Sequence, residues 1–342
     1  MISNKYLYGL VDLSYLISRN LFIISKDKKV NEFSAGDLIR ITIQSLNKFL
    51  RDYGLSCDKL VMVYDRWESS VGGYYNAAMI RPYVQYKGTR KYMNEQLLEE
   101  IRCNPESTPE DIAKAELEFY TNQVKTRAKY GMIDDLKTIG VPCIGVPGWE
   151  YDNLVYLFGG LMYGKTEGKK SVIITKDSDL MYSTTPELDF FKVSTGGSEP
   201  KIITYEEMYY TIPEAIRNQG ISLYQYRAFT DSLGEGHNDM LKTKRPHADV
   251  TETILQILKG DFMGLEVDKI EAFKAQYNSF NVSQYPRLDE ATNLITNYLP
   301  GAGHYGTVDD FHKFCTKHGV SGISDKYYSD FISRFDQKLF TE

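Results

Sequence analysis

Short apolar runs that end in acids constrain this chain more than any other feature. YLYGLVD ends at Asp12, KLVMVYD at Asp65, and SVIITKDSD at Asp177 and Asp179. A fourth run, VPCIGVPGWEYD, passes through a Pro-Gly turn to Glu150 and Asp152. Between these runs lie segments with apolar residues at helical spacing, such as Leu38, Ile41, Ile43, Leu46 and Phe49, which stop at Gly54. Strands alternating with helices predict an α/β domain with a mostly parallel central sheet flanked by helices. In such sheets, functional groups gather just beyond the carboxyl ends of the strands. That is where these acids fall.

Clustered carboxylates repel one another and raise each other's pKa unless a cation neutralises them. Oxygen ligands without nearby Cys or His select hard cations, Mg²⁺ or Mn²⁺. Two such ions about 4 Å apart can drive an in-line phosphoryl displacement. The spacing of Asp177 and Asp179 lets both side chains reach the same side of an extended backbone. A lone strand-terminal Asp more often caps a helix or turn, and Asp58, Asp134, Asp135 and Asp189 read as solvated. Acids at four separate strand ends favour metal-dependent phosphate chemistry.

Composition sets the outer bounds. At 342 residues, with 42% apolar and 25% charged, the chain can bury one large core or two modest ones. No apolar run approaches the roughly 18 residues that span a membrane, so no membrane partner is expected. The segment MISNKYLYGLVDLSYL does not read as a signal peptide. Cys57, Cys103, Cys143 and Cys315 show no C-x-x-C spacing, which argues for a reduced, cytoplasmic chain without structural zinc. The net charge of −6 weighs only weakly against a nucleic-acid partner, because it hides local patches and includes the acid cluster itself.

Residues 76–137 are polar and rich in tyrosine and charge, and read as two helices joined near CNPESTPED. Farther on, LDFFKVS and KIITYEEMYY read as a hairpin running into a helix, and SLYQYRAFTDSLGEGHND as a helix entering a Gly-rich loop. The expected division is an α/β core over 1–205, which includes the 76–137 helices, and a helical C-terminal region over 206–342.

With these residues in order, the chain resembles the flap endonuclease/5′-3′ exonuclease family of the PIN-like nuclease superfamily. It looks closest to the phage members, including the phage ribonuclease H type. LVDLSYL matches the family's first metal-binding strand and VMVYDRW its second. RPYVQYKGTR follows its arginine and "P-E-Y-K-x-N-R"-like segment, GWEYDN its "E-A-D-D", IITKDSDLMYS its "T-x-D-x-D-x-x-Q-L", and FTDSLGEGHND its "G-D-x-x-D-N". The match spans roughly residues 6 to 245. It departs at Asn153, which stands where the family has a fourth acid, and in the stretched loop holding His237, Asn238 and Asp239. MLKTKRPHAD also lacks the glycines of the family's cation-binding loop, so any helix-three-turn-helix, duplex-binding part is degenerate.

The resemblance implies a Mg²⁺-dependent structure-specific 5′ nuclease, acting in RNA-primer removal during DNA replication by a two-metal mechanism. Two Mg²⁺, with Mn²⁺ as a substitute, would be held by Asp12, Asp65, Glu150, Asp152, Asp177, Asp179, Asp231 and Asp239. Arg81, Lys87 and Arg90 would act at the scissile phosphate. Residues 76–137 would form a helical arch, with Lys91, Lys125, Arg127 and Lys129 binding nucleic acid, while Lys242, Lys244 and Arg245 contact duplex phosphates. Partners would be DNA or RNA–DNA hybrid with a free 5′ end or flap. DQKLFTE, with Gln337, Leu339 and Phe340, loosely resembles a sliding-clamp-binding peptide, and a single-strand-binding protein is a further expected partner. The rival expectation is a PIN-like fold that binds branched nucleic acid with reduced or no cleavage.

Overall fold

The computed structural model describes residues 5–27, 34–53, 56–66, 68–70, 73–75, 95–138, 141–166, 168–192, 201–234, 241–299 and 308–318. The strands are β1 (Lys5–Asp12), β2 (Ser56–Val63), β3 (Glu68–Ser70), β4 (Gly73–Tyr75), β5 (Cys143–Ile144), β6 (Ser171–Thr175), β7 (Leu188–Lys192) and β8 (Lys201–Ile203). A central sheet runs in the order β5-β2-β1-β6-β7-β8, and β3 with β4 forms a separate antiparallel ribbon. Pairing in the main sheet is parallel except between β7 and β8. The expected α/β class and the LDFFKVS–KIITYEEMYY hairpin are both found.

The strands read as continuous apolar runs because both faces are covered. Val11, Leu60, Met62, Val172 and Ile174 pack into one core; Leu10, Val61, Val63 and Ile173 pack into the other. The first core is closed by α1 (Leu13–Asp27), α2 (Ala35–Tyr53) and part of α4 (Pro109–Thr138). α3 (Glu95–Cys103) packs across the start of α4 through Leu98 and Ala115. At 30 residues α4 is about 45 Å long. Its Val124, Ala128, Met132, Ile133 and Leu136 belong to the first core. The segment expected as an arch therefore divides: the later part of α4 is core, the α3–α4 hairpin projects from it, and residues 76–94 lie outside the described residues.

The second core is closed by α5 (Tyr151–Met162), α6 (Tyr205–Tyr209), α7 (Glu214–Arg217), α8 (Leu223–Ser232), α9 (Val250–Leu258), α10 (Ile270–Ser279) and α11 (Leu288–Asn293). It is continuous across residue 205, with Phe190 and Phe229 in the same cluster. Trp149 ties the Pro-Gly turn to this region, donating from Nε1 to the Pro286 carbonyl at 2.8 Å and meeting Tyr285 edge-on. A further helix, Val308–Lys317, adds Phe314 and Cys315 to the first core.

Candidate active site

The acids lie at the carboxyl ends of the central parallel strands β2, β1 and β6. Asp12 closes β1 and is buried. Its Oδ1 accepts from the Tyr15 N–H at 2.8 Å, so it caps α1 as a bland reading requires. Its Oδ2 accepts from the Thr175 hydroxyl at 3.0 Å, which locks the ends of β1 and β6 together. The same hydroxyl accepts from the Asp177 N–H at 3.2 Å. Asp65 follows β2; its Oδ1 accepts from the Tyr151 N–H at 2.7 Å and its own N–H donates to Ser14 Oγ at 3.1 Å. Below them the Tyr151 hydroxyl donates to the Leu10 carbonyl at 2.7 Å. Each carboxylate is thus held by the backbone of a neighbouring element.

Asp177 and Asp179 leave the extended conformation sooner than their spacing suggests. A 3₁₀ turn over Ser178–Ser183 begins at Asp177, whose Oδ1 accepts from the Asp179 N–H at 3.1 Å. Asp179 then faces α8 rather than β1. Glu150 and Asn153 open α5 with reciprocal capping bonds, the Asn153 side chain accepting from the Glu150 N–H at 3.3 Å. An amide supplies that acceptor as well as a carboxylate does, which accounts physically for the uncharged residue.

The cations of the site fall in two places, while Asp152 acts on both Asp12 and Asp177. On the β1–β2 side, burial first and then the Asp65 charge hold the Asp12 carboxyl well above the usual range, against its hydrogen bonds to Tyr15 and Thr175. Burial and Asp152 likewise raise Asp177. Lys125 and Lys129 of α4 reach in beside these acids. Burial lowers both, with Asp65 and Asp12 opposing, and Lys129 is pushed down to about 8. Lys129 Nζ donates to the Asp65 carbonyl at 2.7 Å.

On the α8 side stands Arg227, its side chain only 6% exposed. Its Nη2 lies 3.6 Å from Asp152 Oδ2 and 3.7 Å from Asp179 Oδ2, and its Nε lies 3.4 Å from Asp231 Oδ2. Burial opposes its charge, but Asp152 and Asp231 outweigh burial and hold the guanidinium above its usual range. Sequence reasoning missed Arg227. The available signal was its position four residues before Asp231 on a helix, where the two side chains meet.

Among the described residues, no three acidic, His or Cys side chains converge closely enough to hold one ion. Mg²⁺ needs fewer protein ligands, since it keeps waters and takes one or two carboxylates together with substrate phosphate. The oxygen-only set of Asp12, Asp65 and Asp177 offers such a pair of carboxylates. The Asp152–Asp179–Asp231 set does not, because a guanidinium already stands among those carboxylates.

The remaining expected residues are dispersed. Lys129 is buried and Lys125 half-buried beside the acids, while Arg127 is exposed. Lys242 is exposed. Lys244 Nζ donates to the Ala248 carbonyl at 2.7 Å and Arg245 Nε to the Leu265 carbonyl at 3.0 Å, so both also fasten their own loop. Asp189 is not solvated: it is buried, accepting from Tyr6 at 3.3 Å and Lys170 at 2.9 Å. Asp135 is paired with Lys317 and His318. Arg81, Lys87, Arg90, Lys91, Asp239, Gln337, Leu339 and Phe340 lie outside the described residues.

No protein-family model and no curated protein sequence matches the chain. Solved structures similar to it are 5′ nucleases of the PIN-like superfamily. The bacteriophage T5 flap endonuclease in complex with DNA and metal ions is 14% identical, with 91% of this chain and 97% of that chain covered at a TM-score of 0.48. Human GEN1 with Holliday junction DNA is 11% identical, covering 98% and 75% at 0.46. The catalytic core of Rad2 with DNA substrate is 13% identical, covering 97% and 92% at 0.43.

Proposed function

We propose that this protein is a divalent-metal-dependent, structure-specific 5′ nuclease that hydrolyses phosphodiesters near a free 5′ end or flap. One observation carries the reading: Asp12 and Asp65, from adjacent strand ends, sit together beside two lysines, and the Thr175 hydroxyl that donates to Asp12 also accepts from the Asp177 N–H. Neighbouring carboxylates flanked by cations suit a phosphate ester and a hard metal ion. Two of these three carboxylates would hold Mg²⁺ together with water and substrate phosphate, and the ion would supply Lewis-acid polarisation of the phosphate and an activated water.

The chain's own residues do the rest. The Tyr151 N–H and Thr175 hydroxyl fix the carboxylate orientations, so no reorganisation accompanies the reaction. Lys125, close to Asp65 and Asp12, is placed to offset charge on the attacked phosphate. Lys129 spends a donor on the Asp65 carbonyl and steadies that residue. Arg81, Lys87 and Arg90 complete the proposal from their sequence match. The substrates in this reading are DNA flaps and RNA–DNA hybrids, as in primer removal at replication, and the product carries a 5′-phosphate.

A cleavage assay with Mg²⁺ on 5′-labelled flap, nicked and RNA–DNA hybrid substrates tests it. Short labelled products that disappear with EDTA are expected. A second reading, binding without cleavage, draws support from the guanidinium among Asp152, Asp179 and Asp231. It expects retention of the flap substrate with no product at any Mg²⁺ concentration.

A further inference from the structure

We infer that Arg227 is a built-in cation that takes the place of a second divalent ion, so that the site binds one metal ion and not two. The inference rests on the nuclease reading for the existence of the first ion. Its own support is geometric. Asp152 begins α5, Asp179 lies in the 3₁₀ turn after β6, and Asp231 lies on α8; they share no element and meet around one guanidinium at 3.4–3.7 Å. Arg227 Nη1 also lies 3.5 Å from the Asp179 carbonyl.

A planar guanidinium offers five donors in a fixed fork and keeps its charge at every accessible pH. It can neutralise carboxylates contributed by separate elements, as a metal ion would. It cannot exchange ligands or activate a water. The helix that carries it also carries Asp231, one turn on, so neither partner can leave without disturbing α8. The aliphatic part of Arg227 is buried as well, which makes withdrawal of the side chain to solvent costly. Charge neutralisation on this side is therefore permanent, and only the Asp12–Asp65–Asp177 side is left for a divalent ion.

The test counts Mn²⁺ ions on the full chain, from the free-ion electron paramagnetic resonance signal in a titration. Wild type should bind one ion tightly, Arg227→Lys one, and Arg227→Gln two, because the vacated carboxylates then accept metal. Two ions of similar affinity on wild type, or one ion on a folded Arg227→Gln variant, would overturn the inference. Circular dichroism in Mn²⁺ checks that this variant is folded. If it is not, Asp231→Asn decides. An unchanged count of one supports the inference, and a lost ion refutes it. Two ions together with cleavage would sink only this inference. No bound ion and no cleavage would sink the nuclease reading beneath it.

Discussion

Asp65 and Asp177 show how a single carboxylate serves both structure and chemistry. Both accept backbone N–H bonds, and an amide oxygen can accept the same bonds. Asp65→Asn or Asp177→Asn should therefore keep the fold, abolish cleavage by at least about 100-fold, and leave flap binding equal or tighter, as read by gel shift beside the cleavage assay. Wild-type turnover by either variant would refute the site. Asp189 tests a different balance. Burial raises its pKa above that of the unfolded chain, in spite of Lys170 and Tyr6. Its charge is therefore a cost to the folded state at neutral pH, a cost that fades as pH falls through the raised value and is absent below the ordinary carboxylate range. Asp189→Asn should be more stable than wild type in urea at pH 7, with the difference vanishing near pH 3. Sequence gave no hint of this, because burial of a strand residue is decided by which elements cover it. Arg227 escaped notice for the same reason: one arginine in LYQYRAFTDS looks like any other until three elements close around it.

The elements themselves were more readable. β1, β2 and β6 announce themselves as apolar runs, the β7–β8 hairpin is found where LDFFKVS and KIITYEEMYY put it, and α5 starts at its expected cap, Glu150. What spacing could not reveal was the fate of α4, whose polar, tyrosine-rich text hides a core stripe of Val124, Ala128, Met132 and Leu136. A four-residue spacing diluted by charge reads as a solvated helix until its partner is known. β1 carries a sharper constraint. A Cβ on Gly9 would lie 2.7 Å from both Cys57 Sγ and Leu60 Cδ2. Gly9→Ala should cost about 1–3 kcal/mol through overpacking, seen as a lowered melting temperature. An unchanged melt would mean that β1 and β2 can separate to admit a methyl group.

For the whole molecule, the net charge is −6, and the buried Asp12, Glu150, Asp189 and Asp231 are among its acids. Burial of Asp12 and its repulsion by Asp65 work against the folded chain, and in the proposed reading a divalent ion that binds only the folded state stabilises it by mass action. Mg²⁺ at 100 times its Kd should add about 2.7 kcal/mol. Calorimetric melts should shift upward with Mg²⁺ and return with EDTA, and no shift would remove the metal from the site.

The bond from Thr175 to Asp12 joins residues 163 apart in sequence, and β1 lies between β2 and β6. Pairing of such distant strands is slow, since the loop-closure entropy comes before the contacts that offset it. During synthesis the amino-terminal strands emerge long before their partner. A nascent chain that has not reached β6 has no locked Asp12, and one that has not reached α8 lacks Arg227. The order of assembly along the ribosome therefore leaves this site incomplete until α8 has emerged.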